Sequence, residues 1–152
     1  MKSKLFLCVL LIVGGAQNLK SSDTALQTVV KLFIESCMTN NSKQLEAILA
    51  EDAVFKQTRN KVTVKHTRQE VLDFMKKDKG ILQDFKPAYE IINSSGNTAL
   101  VKVKFHYPQF TIENILTLEK QEKSSWKIAQ VEKFYTSDVT AGIPYNGSKE
   151  DQ

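Results

Sequence analysis

Polar side chains recur at positions where the sequence predicts the buried face of a β-strand. Asn114 is two residues from Leu116, and Gln130 and Glu132 are two and four residues after Ile128. Because side chains two or four residues apart lie on the same face of a strand, each polar residue is predicted to share the apolar face. Polar residues are uncommon inside a protein unless they are paired or bind something, so these positions are candidates for a ligand site. The predicted ligand-contacting set adds aromatic neighbours and comprises Phe74, Tyr89, Tyr107, Asn114, Gln130 and Glu132. The pattern predicts a small, partly apolar ligand; the alternative is that water or backbone groups satisfy each polar side chain.

Acid–base catalysis in such a pocket would need a carboxylate or imidazole with a shifted pKa. Glu132 is predicted on an inward register, and Asp52 lies at a helix-to-strand junction, where aspartate more often orders a turn. His66 precedes a predicted helix, and His106 has the opposite parity to Phe105, so it is expected to point away from the core. Neither histidine has a carboxylate at a spacing that demonstrates a pair. Catalysis therefore stays open, with Glu132 and Asp52 as its candidate residues.

Other classes of site lack their sequence signatures. The two histidines and two cysteines are widely separated, so we expect no metal site, and no glycine-rich phosphate loop or G-x-S-x-G serine is present. We expect no cofactor. The formal net charge is +4 over 152 residues, with lysines scattered among glutamates. This pattern argues against nucleic-acid binding by a basic face.

Residues 1–16 have the organisation of a secretory signal peptide. Lys2 and Lys4 precede the apolar run 5–13 (LFLCVLLIV), which is followed by the small residues 14–16. A bilayer span takes about 20 residues, so this run is too short to anchor the chain. Cleavage after Ala16 is predicted, and because two lysines and no acid are removed, the net charge falls from +4 to +2. The mature protein is expected to be exported, to a periplasm or beyond, without a membrane anchor.

Cysteine content gives a further hint about the mature chain. Cleavage removes Cys8 and leaves Cys37, which then cannot form an internal disulfide. A lone cysteine on the apolar face of a helix is most often a small buried hydrophobe. An intermolecular disulfide or a reactive thiol is the alternative.

Three predicted helices precede or interrupt the strands. A polar lead-in at residues 17–23, with Ser22 or Asp23 as a cap, leads into a helix whose apolar residues recur at helical spacing and which ends near 40–41. Ser42 is predicted to cap a short second helix. Residues 53–57 and 62–65 predict a hairpin, and Thr67 with Glu70 forms the capping-box pattern of a third helix.

After Pro87 the hydrophobic period changes to two, which predicts four strands. The first covers 89–93 and is closed by the turn-forming residues 94–97, and the second extends to Tyr107 before Pro108 interrupts it. Two more strands follow over 112–118 and 126–135. Residues 138–152 lack periodicity and are expected to be loose, so the predicted single domain covers 24–137.

The face of this sheet opposite the core is more apolar than a fully solvated surface requires. We therefore expect a homodimer that packs sheet to sheet. Its predicted interface residues are Ile115, Thr117, Ala129, Val131 and Tyr135. The alternative is a monomer with scattered surface apolar residues.

The order of elements and three local segments resemble the nuclear transport factor 2-like superfamily, which includes ketosteroid isomerase, scytalone dehydratase and the SnoaL-type cyclases. The segments are LAEDAVF at 49–55, TRQEVLDF at 67–74 and WKIAQVEKF at 126–134. The chain is most similar to secreted bacterial members described as putative lumazine-binding or SnoaL-like proteins, over residues 24–137. Each segment alone is weakly specific, but their order is more so.

The resemblance implies an α+β cone, in which three N-terminal helices pack on a strongly curved, mostly antiparallel sheet with a pocket at its open end. It also implies dimerisation through the outer sheet face. The first functional hypothesis is a non-catalytic ligand-binding or accessory protein. The second is a cofactor-free isomerase or lyase acting by general acid–base chemistry, although a full set of isomerase or dehydratase residues is missing. The third is a purely structural dimer whose cone is filled by Trp126, Phe74 and Phe33.

Overall fold

A computed structural model describes residues 17–59, 61–122 and 125–136, with side chains from residue 24 onward. Within these residues lie three helices and six strands. They are α1 (Gln17–Thr39), α2 (Ser42–Ile48), β1 (Leu49–Arg59), β2 (Val62–Thr67), α3 (Arg68–Lys77), β3 (Lys86–Ser95), β4 (Thr98–His106), β5 (Thr111–Lys120) and β6 (Trp126–Thr136). The predicted signal peptide at 1–16 and tail at 138–152 lie outside the described residues.

The six strands form one mixed sheet in the order β2-β1-β6-β5-β4-β3. All neighbouring pairs are antiparallel except β1 and β6, which run parallel. A parallel pair needs a long crossover, and here the chain between β1 and β6 contains α3 and four strands. The α+β class and the three helices are confirmed, with α3 placed after the first hairpin and the sheet mixed.

Capping groups define the helix boundaries. Asn40 has a positive φ of 49°, and the Asn41 N–H bonds back to the Ser36 carbonyl at 3.0 Å, which closes α1 as the sequence predicts. The cap of α2 is Asn41, whose side chain accepts from the Gln44 N–H at 3.2 Å; the prediction that Ser42 caps this helix is wrong. The Thr67–Glu70 capping box is present at α3.

Helix α1 begins at Gln17, earlier than the predicted start after the lead-in at 17–23. Residues 17–23 contain no proline or glycine, so nothing in their backbone prevents the helix from extending through them. The first helix therefore includes the segment that the polar composition assigned to a lead-in.

The hydrophobic core lies between the helices and one face of the sheet, here called the inner face. From α1, the side chains of Leu26, Val30 and Phe33 are almost completely buried against it. On the sheet, the predicted inward stripe of β4 and β5 is buried, as Val101 and Leu116 illustrate with 0% exposure. Alternation along these two strands therefore identified their inner faces correctly.

A β-bulge in β6 changes which residues face inward. Leu118 pairs with Ile128, but Thr117 pairs with Gln130, so Ala129 is an extra residue on β6. One extra residue reverses the parity of everything after it. From this point toward the carboxyl end, Val131 shares the inner face with Leu116.

No helix in the described part of the chain combines the length and hydropathy needed to cross a lipid bilayer.

Candidate functional site

A cavity of about 410 Å³ lies between the helices and the inner face of the sheet. Aromatic rings form much of its wall: Phe33, Phe55, Phe74, Phe85, Phe105 and Tyr107. Aliphatic and sulfur-containing side chains line it at Cys37, Leu45, Val71, Met75, Ile112 and Val131. The polar lining consists of Asn40, Lys56, Gln57, His66, Gln83, Asn114 and Lys133. This size and mixture are typical of a pocket for a small organic molecule.

The aromatic wall on the β4 side is continuous. The Phe85 and Phe105 rings stack with centroids 4.1 Å apart, and Phe33 lies 6.2 Å beyond Phe105. Tyr107 meets Phe85 at 5.5 Å. On the opposite side, the His66 and Phe74 rings meet edge to face at 5.7 Å. Phe74 is 50% exposed, so the wall extends to the solvent. Ring faces of this kind suit a flat aromatic ligand.

Three polar side chains form a row across the inner face. Asn114 on β5 is paired with Lys133 on β6, and Lys133 is paired with Gln57 on β1. All three line the cavity. Directly paired residues have Cβ atoms about 5 Å apart and share one face of the sheet, so the three side chains leave the sheet at neighbouring positions. We refer to Gln57, Lys133 and Asn114 as the polar row.

Asn114 is the most buried member of the polar row, with 1% exposure. Its Nδ2 donates a long hydrogen bond of 3.4 Å to the Val103 carbonyl. Its Oδ1 is buried and has no hydrogen-bond partner in the described part of the protein. A buried acceptor without a partner costs free energy, so this amide lowers the stability of the folded protein.

Two ionisable groups in the wall are held in their neutral forms. Burial raises the pKa of the Cys37 thiol to about 12, against the opposing effect of the positive charge on Lys133. Partial burial also raises the pKa of the Tyr107 hydroxyl, which donates to the Gln83 Oε1 at 3.4 Å. Both groups remain protonated near neutral pH. The expectation that Cys37 behaves as a small hydrophobe fits this environment, because a nucleophilic cysteine needs a lowered pKa.

The predicted ligand-contacting residues fall into two groups. Phe74, Tyr107 and Asn114 line the cavity. Tyr89 does not, because it lies on the edge strand β3 and is 37% exposed.

Gln130 and Glu132 also lie outside the cavity lining, and their predicted inward orientation is wrong. Glu132 pairs with Ile115 on the outer face, and its Oε1 accepts hydrogen bonds from Gln130 at 2.8 Å and from Lys56 at 3.1 Å. The β6 bulge at Ala129 exchanges the two faces, so Lys133 occupies the position that parity assigned to its neighbour Glu132.

Neither candidate catalytic residue lines the cavity, although Glu132 bonds to Lys56, which does. Glu132 forms the outer-face ion pair with Lys56 described above, and Asp52 is exposed where the β1 register shifts. His106 is exposed and bonds to Thr111 at 3.0 Å, as its predicted outward orientation requires. Among the described residues, no aspartate or glutamate lines the cavity, and no group of three or more potential metal ligands occurs.

The predicted interface set is also divided by the bulge. Ile115 and Thr117 lie on the outer face and are half-buried. Val131 is on the inner face with 2% exposure, so its predicted outward orientation is wrong. Tyr135 pairs with Ile112 and therefore also lies on the inner side, with the Arg59 guanidinium 5.9 Å from its ring centroid. Ala129 is the bulge residue itself.

Sequence reasoning missed Gln57 and Lys133 as cavity residues. Gln57 could have been found, because it alternates with Phe55 on a predicted strand. Lys133 could not, since nothing in the residues around Ala129 marks the bulge.

Comparisons with known proteins agree with this geometry. Residues 21–136 match the family model described as "Putative lumazine-binding". A nuclear transport factor 2-like protein of unknown function from Silicibacter pomeroyi superposes with a TM-score of 0.68 at 16% identity, covering 78% of this chain and 99% of its own. A ketosteroid isomerase-like protein from Erwinia carotovora atroseptica has a TM-score of 0.61 at 12% identity, covering 75% and 95%. No curated protein matches the sequence. At these identities, the structural likeness supports the fold alone.

Proposed function

Because this chain belongs to the family described as putative lumazine-binding and has the nuclear transport factor 2-like fold, we propose that it binds a small flat molecule without transforming it. The observation that carries the proposal is the cavity of about 410 Å³, with an aromatic wall and no aspartate or glutamate among its described lining residues. Lumazine is itself a flat bicyclic heterocycle, and the stacked wall of Phe85 and Phe105 suits a ring of that shape.

The same lining argues against the isomerase or lyase alternative. Removing a proton from a carbon acid takes a base held within hydrogen-bond reach of that proton. Glu132 and Asp52 lie outside the lining, and the His66 ring contacts Phe74 with no carboxylate bonded to it in the described residues. The purely structural alternative also loses support, since Trp126 is buried outside the lining and Phe33 and Phe74 surround an open space.

Binding in the cavity is tested with the neutral dye N-phenyl-1-naphthylamine, whose fluorescence rises in apolar surroundings. We expect saturable binding of one dye per chain. A Met75→Trp substitution fills part of the cavity from α3 and should abolish binding, whereas Ile92→Trp, outside the cavity lining on β3, should not. Equal binding by all three proteins would refute a ligand in this cavity. Native mass spectrometry of freshly purified protein would identify a retained natural ligand directly.

The proposal includes a homodimer through the outer sheet face. This face carries half-buried apolar side chains at Ile115 and Phe134, and no helix of the described residues covers it. Sedimentation of the wild type should show a dimer, and Ile115→Glu should shift it to a monomer. A wild-type monomer would refute this part of the proposal and leave the cavity untouched.

Export is the third part of the proposal, and it rests on the charged, apolar and small-residue order of 1–16. The intact mass of protein recovered from the producing cells tests it. We expect the mass of a chain that begins at Gln17. A full-length mass inside the cell would refute it.

A further inference from the structure

We propose that the polar row of Gln57, Lys133 and Asn114 binds the anionic group of a flat aromatic ligand, while the ring system lies against the aromatic wall. This inference rests on the proposed function, because it specifies the chemical class of the molecule in the same cavity.

Strand register carries the first part of the argument. The row crosses β1, β6 and β5 at one level of the sheet, with all three residues directly paired. The neighbouring row of paired residues on the same face is apolar on all three strands. It consists of Phe55, Val131 and Leu116, and Leu116 is 0% exposed. A single polar level in an otherwise apolar wall fixes where a charged group of the ligand would lie and therefore how the ring is oriented.

Lys133 places a positive charge in the cavity wall, and the ion pairs of other lysines show what this residue lacks. Lys56, Lys76 and Lys104 each form an ion pair with a carboxylate within 3.5 Å. Lys133 forms no such pair with any described acidic residue, although it lies in the cavity wall. Lys56 also lines the cavity, but its ammonium is paired with Glu132, so among the described lining lysines Lys133 is the one without a carboxylate partner. A cation that faces an apolar cavity without a counter-ion favours an anionic ligand, and hydrogen bonds to charged groups are the stronger ones.

The amide groups of Asn114 and Gln57 add hydrogen-bonding capacity to the charge of Lys133. Nδ2 of Asn114 and Nε2 of Gln57 are donors, as the Lys133 ammonium is, so the row can present three donors to one carboxylate or comparable flat anion.

The test compares two probes of nearly the same shape, 2-naphthoate and 2-naphthamide, by isothermal titration calorimetry at low salt. We expect the wild type to bind the anion about tenfold more tightly than the neutral amide. Lys133→Met should reduce naphthoate affinity to the naphthamide level and leave naphthamide affinity unchanged, and Lys133→Arg should retain part of the preference. The matched control is Lys102→Met, which removes the same charge from β4 on the outer face, opposite Ile115. Circular dichroism melting of each variant establishes that it is folded.

The outcomes separate this inference from the proposed function. Equal affinity of the wild type for the two probes would overturn the anion site and leave cavity binding standing. An equal effect of Lys133→Met and Lys102→Met would also overturn it, since the preference would then follow the net charge of the protein. Absence of binding by both probes and by the neutral dye would refute the proposed function itself.

Discussion

Replacing Asn114 with leucine should make the unliganded protein more stable. The Asn114 side chain is 1% exposed, its Oδ1 has no described partner, and its hydrogen bond to the Val103 carbonyl is long at 3.4 Å. Leucine has nearly the same shape and no polar atoms, so the substitution removes the buried acceptor without opening a large void. The prediction tests whether this amide is retained for a ligand at the expense of stability.

The expected magnitude follows from two opposing contributions. A buried acceptor without a partner costs about 1–3 kcal/mol. The lost hydrogen bond is at the weak end of its class because of its length, and contributes about 0.5 kcal/mol. The free energy of unfolding should therefore increase by about 0.5–2.5 kcal/mol, which raises the Tm by roughly 2–8 °C for a domain of this size.

The assay is urea unfolding followed by the fluorescence of Trp126, the chain's one tryptophan, which is 3% exposed in the folded protein. Asn93→Leu on β3 is the matched control, because Asn93 is exposed and its replacement should leave stability nearly unchanged. The same Asn114→Leu variant should bind naphthoate more weakly. A variant that is less stable than the wild type would show that the amide is already satisfied in the free protein, and the argument that Asn114 is kept at the expense of stability would fail.

Four further substitutions or modifications test other parts of the structure. Phe105→Ala should lower the free energy of unfolding by about 3–5 kcal/mol in the urea assay, because a ring with 4% exposure is removed from a stacked cluster; a loss below 1 kcal/mol would contradict the described packing. Thr67→Ala should cost about 1 kcal/mol through loss of the capping box, whereas Thr67→Ser should not. The bonds from Thr67 hold the pKa of Glu70 below its ordinary value. The contribution of Glu70 to stability is therefore present near neutral pH and is lost as the pH falls through that lowered pKa, so the difference between wild type and Thr67→Ala should shrink in acid. Cys37 should react with Ellman's reagent at pH 8 far more slowly in the folded protein than in urea, because burial raises its pKa to about 12; equal rates would show an accessible thiol. Glu132→Gln should change stability by less than about 1 kcal/mol and leave dye binding unchanged, since its half-exposed ion pair lies on the outer face; lost dye binding would place Glu132 in the cavity after all.

Local signals in the sequence determined most of the secondary structure. The capping box at Thr67, the left-handed residue Asn40 and the period of two after Pro87 depend on a few neighbouring residues, and each agrees with the structure. The sequence predicts the cap of α2 one residue too late, because Asn41 and Ser42 are both good capping residues and only the backbone dihedral angles distinguish them. The nuclear transport factor 2-like resemblance was also available from the sequence, since it rests on the order of elements.

The contents of the site depended on tertiary structure. Alternation along a strand predicts which side chains share a face only while the register is unbroken, and the extra residue Ala129 breaks it. Through this shift, Lys133 enters the cavity and Glu132 leaves it, which changes the expected site from one with a candidate general base to one with an unpaired cation. The polar row required, in addition, the parallel pairing of β1 with β6, which joins Gln57 to Lys133 across more than seventy residues of chain. Contacts between strands so distant in sequence are set by the packing of the whole domain, so the sequence alone predicted the fold, and the tertiary structure decided the chemistry of its cavity.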